Sequence, residues 1–115
     1  MIHQGSCHCG RVAFELEGEI TQVMQCNCSY CTRKGYLIAF FPRQQLRLKT
    51  PESDLASYKF NKHRIDHRFC PTCGCGPLAF GKDRAGNDIA AINVRCIPEF
   101  DPSTVKVMPV DGKSL

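Results

Sequence analysis

The sequence predicts a mostly β domain built from short strands. Three observations carry that prediction. Apolar residues recur at a period of two rather than 3.6. Helix signals are poor, with no heptad pattern and no long linker or low-complexity stretch. Nine cysteines in 115 residues fall mostly into tight C-x-C and C-x-x-C spacings, the kind of spacing by which a bound metal ties short elements together.

Taken in chain order, "VAFEL" (Val12–Leu16) puts Val12, Phe14 and Leu16 on one face of a strand. "YLIAFF" (Tyr36–Phe41) is a short apolar run ahead of Pro42 and is expected to be a buried strand. "ASYKF" (Ala56–Phe60) and "HRIDHRF" (His63–Phe69) form two strands, with "NK" (Asn61–Lys62) as a tight turn between them, since Asn tolerates a positive φ. "IAAINVRC" (Ile89–Cys96) is a further core strand entered from the turn "RAGND" (Arg84–Asp88), and "STVKVMPV" (Ser103–Val110) is the last strand. Short helical turns are expected only around Cys28–Lys34 and after Pro98.

The length suits a single domain spanning residues 1–115. A chain of this size buries roughly two thirds of its unfolded surface, so a core forms without much surplus. The hydrophobic fraction of 43% and charged fraction of 23% are ordinary for a globular protein. No apolar run approaches a membrane span, and "MIHQGSCHCG" lacks a basic-then-apolar leader. A soluble cytoplasmic protein is therefore expected. The net charge of +4 is mild. The one denser basic stretch, "KFNKHRIDHR" (Lys59–Arg68), reads as a solvated strand face rather than a phosphate track, which disfavours nucleic acid as a partner. Strand edges exposed in a small β domain favour pairing of two copies as a homodimer.

The cysteines form three clusters and a singleton: Cys7 and Cys9; Cys26, Cys28 and Cys31; Cys70, Cys73 and Cys75; and Cys96 alone. Such density without a secretion signal favours metal over disulfides. "CPTCG" (Cys70–Gly74) is a knuckle whose two sulfurs point one way, with a glycine that lets the backbone bend round a metal. Tetrahedral Zn²⁺ wants four ligands, and Cys7 and Cys9, flanking His8 on an extended segment, share a face and supply the other pair. A structural zinc on Cys7, Cys9, Cys70 and Cys73 would contribute on the order of 10 kcal/mol to folding. Three thiolates then remain at Cys26, Cys28 and Cys31 for a second zinc. Either its fourth position is open to water or substrate, as in catalytic zinc sites, or Cys75 fills it. An iron–sulfur cluster is the weaker metal alternative. His8, His63 and His67 read as strand or loop residues, and Cys96 as a plain buried thiol.

"GSCHCGRVAFE", "CNCSYC", "HRFCPTCGCGPLAF" and "INVRC", in this order and spacing, resemble the glutathione-dependent formaldehyde-activating enzyme family, which also includes centromere protein V. The resemblance runs from about Gly5 to Cys96, and the combined motifs are far more specific than any one alone. It implies an Mss4-like fold of small antiparallel β-sheets with two zinc sites. It implies a structural zinc on Cys7, Cys9, Cys70 and Cys73, and a catalytic zinc on Cys26, Cys28 and Cys31. The implied activity is that of a carbon–sulfur lyase, S-(hydroxymethyl)glutathione synthase, with glutathione or a similar small thiol and an aldehyde as partners. Arg33, Lys34 or Arg95 could hold glutathione's carboxylates, against a plainer role as solvated surface charges. Cys75 stands where many members carry Ser or Thr. The competing reading is a non-catalytic zinc-binding module for protein or nucleic acid, with the second site closed and Lys59–Arg68 as its contact. A third is metal or thiol handling at an exchangeable second site.

Overall fold

A computed structural model describes residues 1–60 and 64–114, the side chain of Lys113 excepted. Its strands are β1 (Ile2–Ser6), β2 (Ala13–Glu17), β3 (Gln22–Cys26), β4 (Ile38–Pro42), β5 (Leu46–Leu48), β6 (Ala56–Tyr58), β7 (Asp66–Phe69), β8 (Leu78–Lys82), β9 (Asp88–Asn93) and β10 (Lys106–Val110). One short helix, α1 (Ser29–Lys34), follows β3. The strands make two sheets. The smaller has the order β1-β2-β5, and the larger β10-β3-β4-β9-β8-β7-β6. The mostly β architecture is as the sequence predicts, but the larger sheet has seven strands and is not purely antiparallel: β10 runs parallel to β3.

The period-two reading of "VAFEL" holds. Val12, Phe14 and Leu16 are fully buried and join one cluster with Val23 of β3, Ala39 and Phe41 of β4, and Ala90 and Ile92 of β9. One face of each sheet thus supplies the core, and the cluster is continuous across both. Phe14 lies opposite Gly5 in the β1–β2 register, and its ring occupies the space a Cβ on Gly5 would need. A side chain there would displace the ring from the centre of the core.

"YLIAFF" departs from expectation. Ala39 and Phe41 face the core, but Ile38 and Phe40 face the other way, and Phe40 is 46% exposed. A central strand of a sheet covered on one side only must alternate; here its outer face is apolar too. "IAAINVRC" is a strand only to Asn93. There the Asn93 side chain accepts from the Arg95 backbone N–H and starts a 3-10 turn, Val94–Cys96, so Cys96 is not a strand residue. Helical turns do form at Ser29–Lys34 and at Pro102–Thr104. The expected turn Asn61–Lys62, with His63, lies outside the described residues. The basic stretch Lys59–Arg68 is solvated only in part: Lys59 and Arg64 are exposed as expected, but its end is not. His67 is buried, and Arg68 is paired with Asp66 at 2.8 Å and Glu52 at 3.2 Å.

Candidate metal centres

Two groups of cysteines converge. The Sγ atoms of Cys7, Cys9, Cys70 and Cys73 lie within 4.8 Å of one another, and so do those of Cys26, Cys28 and Cys31. All nine cysteines are free thiols.

The four-cysteine group is assembled from two connections. Cys7 and Cys9 lie between β1 and β2 of the smaller sheet; Cys70 and Cys73 lie between β7 and β8 of the larger. Each connection aims backbone N–H groups at sulfur: Val12 N donates to Cys7 Sγ at 3.3 Å, and Thr72 N and Cys73 N donate to Cys70 Sγ at 3.4 and 3.5 Å. Gly74, at φ 81°, makes the bend after the knuckle, and its N–H returns to Cys70 O at 2.9 Å. Arg11 bridges the two connections by donating to Thr72 Oγ1 at 2.8 Å. The sulfurs of Cys7 and Cys9 are 3.7 Å apart and those of Cys9 and Cys70 3.6 Å. A tetrahedron with metal–sulfur bonds of about 2.3 Å has S···S edges near 3.8 Å, so these residues fit a tetrathiolate metal ion. The thiols are not equivalent. Backbone N–H groups of Cys75 and Cys9 pull Cys73 down to about 5. At Cys9 the Arg11 N–H favours the thiolate, but burial and the neighbouring Cys70, Cys7 and Cys73 outweigh it and push the thiol up to about 11. A metal ion held by the four sulfurs would remove that conflict, because every ligand would then be a thiolate.

The three-cysteine group is local. Cys26 ends β3, Cys28 caps α1, and Cys31 lies in its first turn, the most buried of the three. Cys28 N donates to Cys26 Sγ at 3.5 Å and Cys31 N to Cys28 Sγ at 3.3 Å. Burial works against the Cys28 thiolate, but the Cys31 N–H and the thiols of Cys31 and Cys26 outweigh it and hold Cys28 below the ordinary thiol value. Burial, then the neighbouring Cys28, pushes Cys31 well up. This donor set also fits a soft divalent ion. It supplies three ligands, and Cys75 is not in the group. Cys75 packs half-buried against the core, as does Cys96. Burial and then the charge of Cys75 raise the Cys96 thiol to about 11.

The three sulfurs open onto a cavity of about 740 Å³ on the outer face of the larger sheet. Tyr36 and His67 line it beside them. His67 is stacked among Tyr30, at a ring distance of 4.4 Å, and Phe60, at 5.4 Å; burial, partly opposed by Asp66, lowers its pKa and keeps the imidazole neutral at neutral pH. Burial and the Tyr30 hydroxyl raise the Tyr36 phenol far above its usual value.

Several of these neighbours are not evident in the sequence. Gly112 sits against the three-cysteine group so closely that a Cβ on it would collide with Cys26 Sγ. Only the parallel pairing of β10 with β3 brings it there, helped by Asn27 Nδ2 donating to Asp111 Oδ1 at 3.0 Å. The "DG" at Asp111–Gly112 signals no more than a turn. Arg33, Lys34 and Arg95 do not line the cavity; Lys34 instead reaches Gly74 O at 3.3 Å. Among the described residues the Lys and Arg side chains that line it are those of Arg64, Lys82 and Arg84. His8 is exposed and belongs to neither group. Among the described residues no helix is long and apolar enough to cross a membrane.

Comparison with known proteins agrees with this arrangement. The family described as glutathione-dependent formaldehyde-activating enzyme matches residues 2–108. A crystal structure of a Rhodobacter sphaeroides protein, a structural-genomics target, superposes with a TM-score of 0.77 at 28% identity, over 91% of this chain and 99% of that one. The family match spans both cysteine groups and nine of the ten strands whole, and with it the chain belongs to the glutathione-dependent formaldehyde-activating enzyme family.

Proposed function

We propose that the protein is a zinc-dependent carbon–sulfur lyase that makes and breaks the adduct between formaldehyde and glutathione, S-(hydroxymethyl)glutathione, or a related thiol–aldehyde adduct. The observation that carries this reading is the convergence of Cys26, Cys28 and Cys31 at the end of a cavity. Cys7, Cys9, Cys70 and Cys73 hold a structural zinc on this reading, and Cys26, Cys28 and Cys31 a second, catalytic one. Zinc on three thiolates supplies, when bound, an open position at which a substrate sulfur is stabilised as thiolate. The family's name supports both partners, the thiol and the aldehyde. A chain this rich in free thiols suits the reducing cytoplasm.

The protein's own groups have definite tasks in such a reaction. In the forward direction the thiol sulfur attacks the aldehyde carbon. An S–C bond forms, the C=O π pair moves onto oxygen, and the oxygen takes a proton. His67, neutral and lining the cavity, can accept the thiol's proton at a ring nitrogen and return it to that oxygen. Phe60 and Ile65 give the cavity an apolar lining beside His67.

The test is formaldehyde–glutathione exchange followed by two-dimensional exchange NMR, with and without the zinc-loaded protein, and with Cys31→Ser as control. Acceleration that vanishes in the variant supports the reading. Two zinc ions bound per chain with no acceleration refutes it for this reaction.

A further inference from the structure

The cavity beside the three-cysteine group has a shape and chemistry of its own. Strand register sets one row of residues across five strands: Phe40 on β4, Ala91 on β9, Ala79 on β8, His67 on β7 and Tyr58 on β6. The two central positions are alanines, so the sheet is hollow there and its flanks are raised. Phe40 stands on one side; His67, Phe60 and Ile65 stand on the other. Ile65 reaches across Gly81, to within 3.9 Å of where a Cβ on that glycine would be. The result is a trough along the strand direction. β9 runs its length, six residues from Asn93 to Asp88, which is roughly 17 Å.

The two ends differ. One holds Cys26, Cys28 and Cys31; the other holds Arg64, Lys82, Asp83 and Arg84. At that far end Lys82 is neutralised by Asp88 at 2.7 Å. Asp83 turns its carboxylate into its own loop, accepting from the N–H groups of Ala85 and Asn87, both at 2.9 Å. Arg64 and Arg84 are exposed, and neither has an ion-pair partner among the described residues. Between the ends the lining offers almost no hydrogen bonds. Among the described residues, Asn93 is committed to Gly76 O and to the Arg95 N–H, which leaves His67 and, near the cysteine end, the Tyr36 hydroxyl. An apolar trough this open, with Phe40 at 46% and Ile65 at 50% exposure, is the kind of patch that a ligand covers.

We propose that the trough takes an amphipathic small molecule: a thiol- or aldehyde-bearing head at Cys26, Cys28 and Cys31, an extended apolar body over Ala79 and Ala91, and an anionic end at Arg64 and Arg84. The identity of the head rests on the function proposed above; the body and the anion stand on the trough itself. Glutathione is a shorter and more polar candidate. Its carboxylates lie within roughly 10 Å of its sulfur, less than the roughly 17 Å length of the trough, and its amide groups would lose water over alanine and phenylalanine.

The experiment is calorimetric titration of the metal-loaded protein with straight-chain carboxylates from hexanoate to undecanoate, with ω-mercaptoundecanoate, and with glutathione. Affinity should rise roughly fourfold per methylene. The double variant Arg64→Gln/Arg84→Gln should weaken undecanoate by at least about tenfold while leaving the fold intact, and Ala91→Phe should abolish binding by filling the floor. The ω-thiol should strengthen binding in the unmodified protein and not in Cys31→Ser. The proposal is overturned by affinity that is flat with chain length, by glutathione binding more tightly than the mercapto acid, or by sedimentation showing the trough buried between two copies. Chain-length-dependent binding without any formaldehyde exchange would remove the lyase reading and leave the trough's assignment standing.

Discussion

At the four-cysteine group, two connections from different sheets meet, so that Cys9 and Cys70 come together across 61 residues of chain. At the three-cysteine group, all three sulfurs come from residues 26–31. The same turn chemistry, backbone N–H groups aimed at sulfur, is used in both. What differs is what each closes. The first closes a long loop, whose entropy an unbridged chain would recover on unfolding, and it holds the smaller sheet against the larger. The second closes nothing beyond α1 and stands at the end of an open cavity. A centre that joins distant elements supports the fold; one that is local and open to a cavity is free to do chemistry.

The sharpest way to break this contrast is to remove one ligand from each group. Cys70→Ser should unfold the chain, because a structural zinc held there would contribute about 10 kcal/mol or more, as much as a small domain's whole stability. Cys31→Ser should stay folded and bind one ion fewer. Circular dichroism and elemental analysis of the two variants would show it, and equal unfolding in both would end the distinction.

A smaller effect is expected from pH. His67 is pushed below its ordinary value of 6.5 by burial, so the folded chain refuses a proton that the unfolded chain accepts. Above that value the two states are alike and His67 contributes nothing to the pH dependence. As pH falls below it, stability is lost, with a slope of at most one proton, until His67 charges in the folded state as well. Denaturant midpoints of the metal-loaded protein and of His67→Phe, compared between neutral pH and about pH 5, should diverge only at the acid end. Parallel curves would mean that Tyr30 and Phe60 do not hold the ring neutral.

The smallest effect belongs to Cys75→Ser. Cys75 lies outside both groups, so metal content and affinity at the second site should be unchanged, with a stability loss of about 1 kcal/mol or less. Loss of the second ion would make Cys75 its fourth ligand and turn an open centre into a closed one.

Both cysteine groups are legible in the amino-acid sequence alone, because ligand spacing is local: a C-x-x-C-G turn or a C-x-C on an extended segment presents its sulfurs together whatever surrounds it. The core face of β2 is legible for the same reason, since Val12, Phe14 and Leu16 alternate within five residues. The trough is not. Phe40 belongs to an apolar run that reads as wholly buried, and only the coverage of one face of the sheet reveals that it is half exposed. His67 sits in a basic stretch, yet its pairing with Ala79 turns it into the cavity.

The amino-acid sequence by itself determined the cysteine groups, the period-two core face of β2 and the family, because each depends on spacings of a few residues that survive in any context. The tertiary structure decided that β10 lies parallel to β3 and carries Gly112 to Cys26, and that two alanines on neighbouring strands hollow the sheet between the thiols and Arg64 and Arg84. Those outcomes depend on strand order and register. Register is settled by how the whole set of apolar faces packs, and no short stretch of chain contains that information.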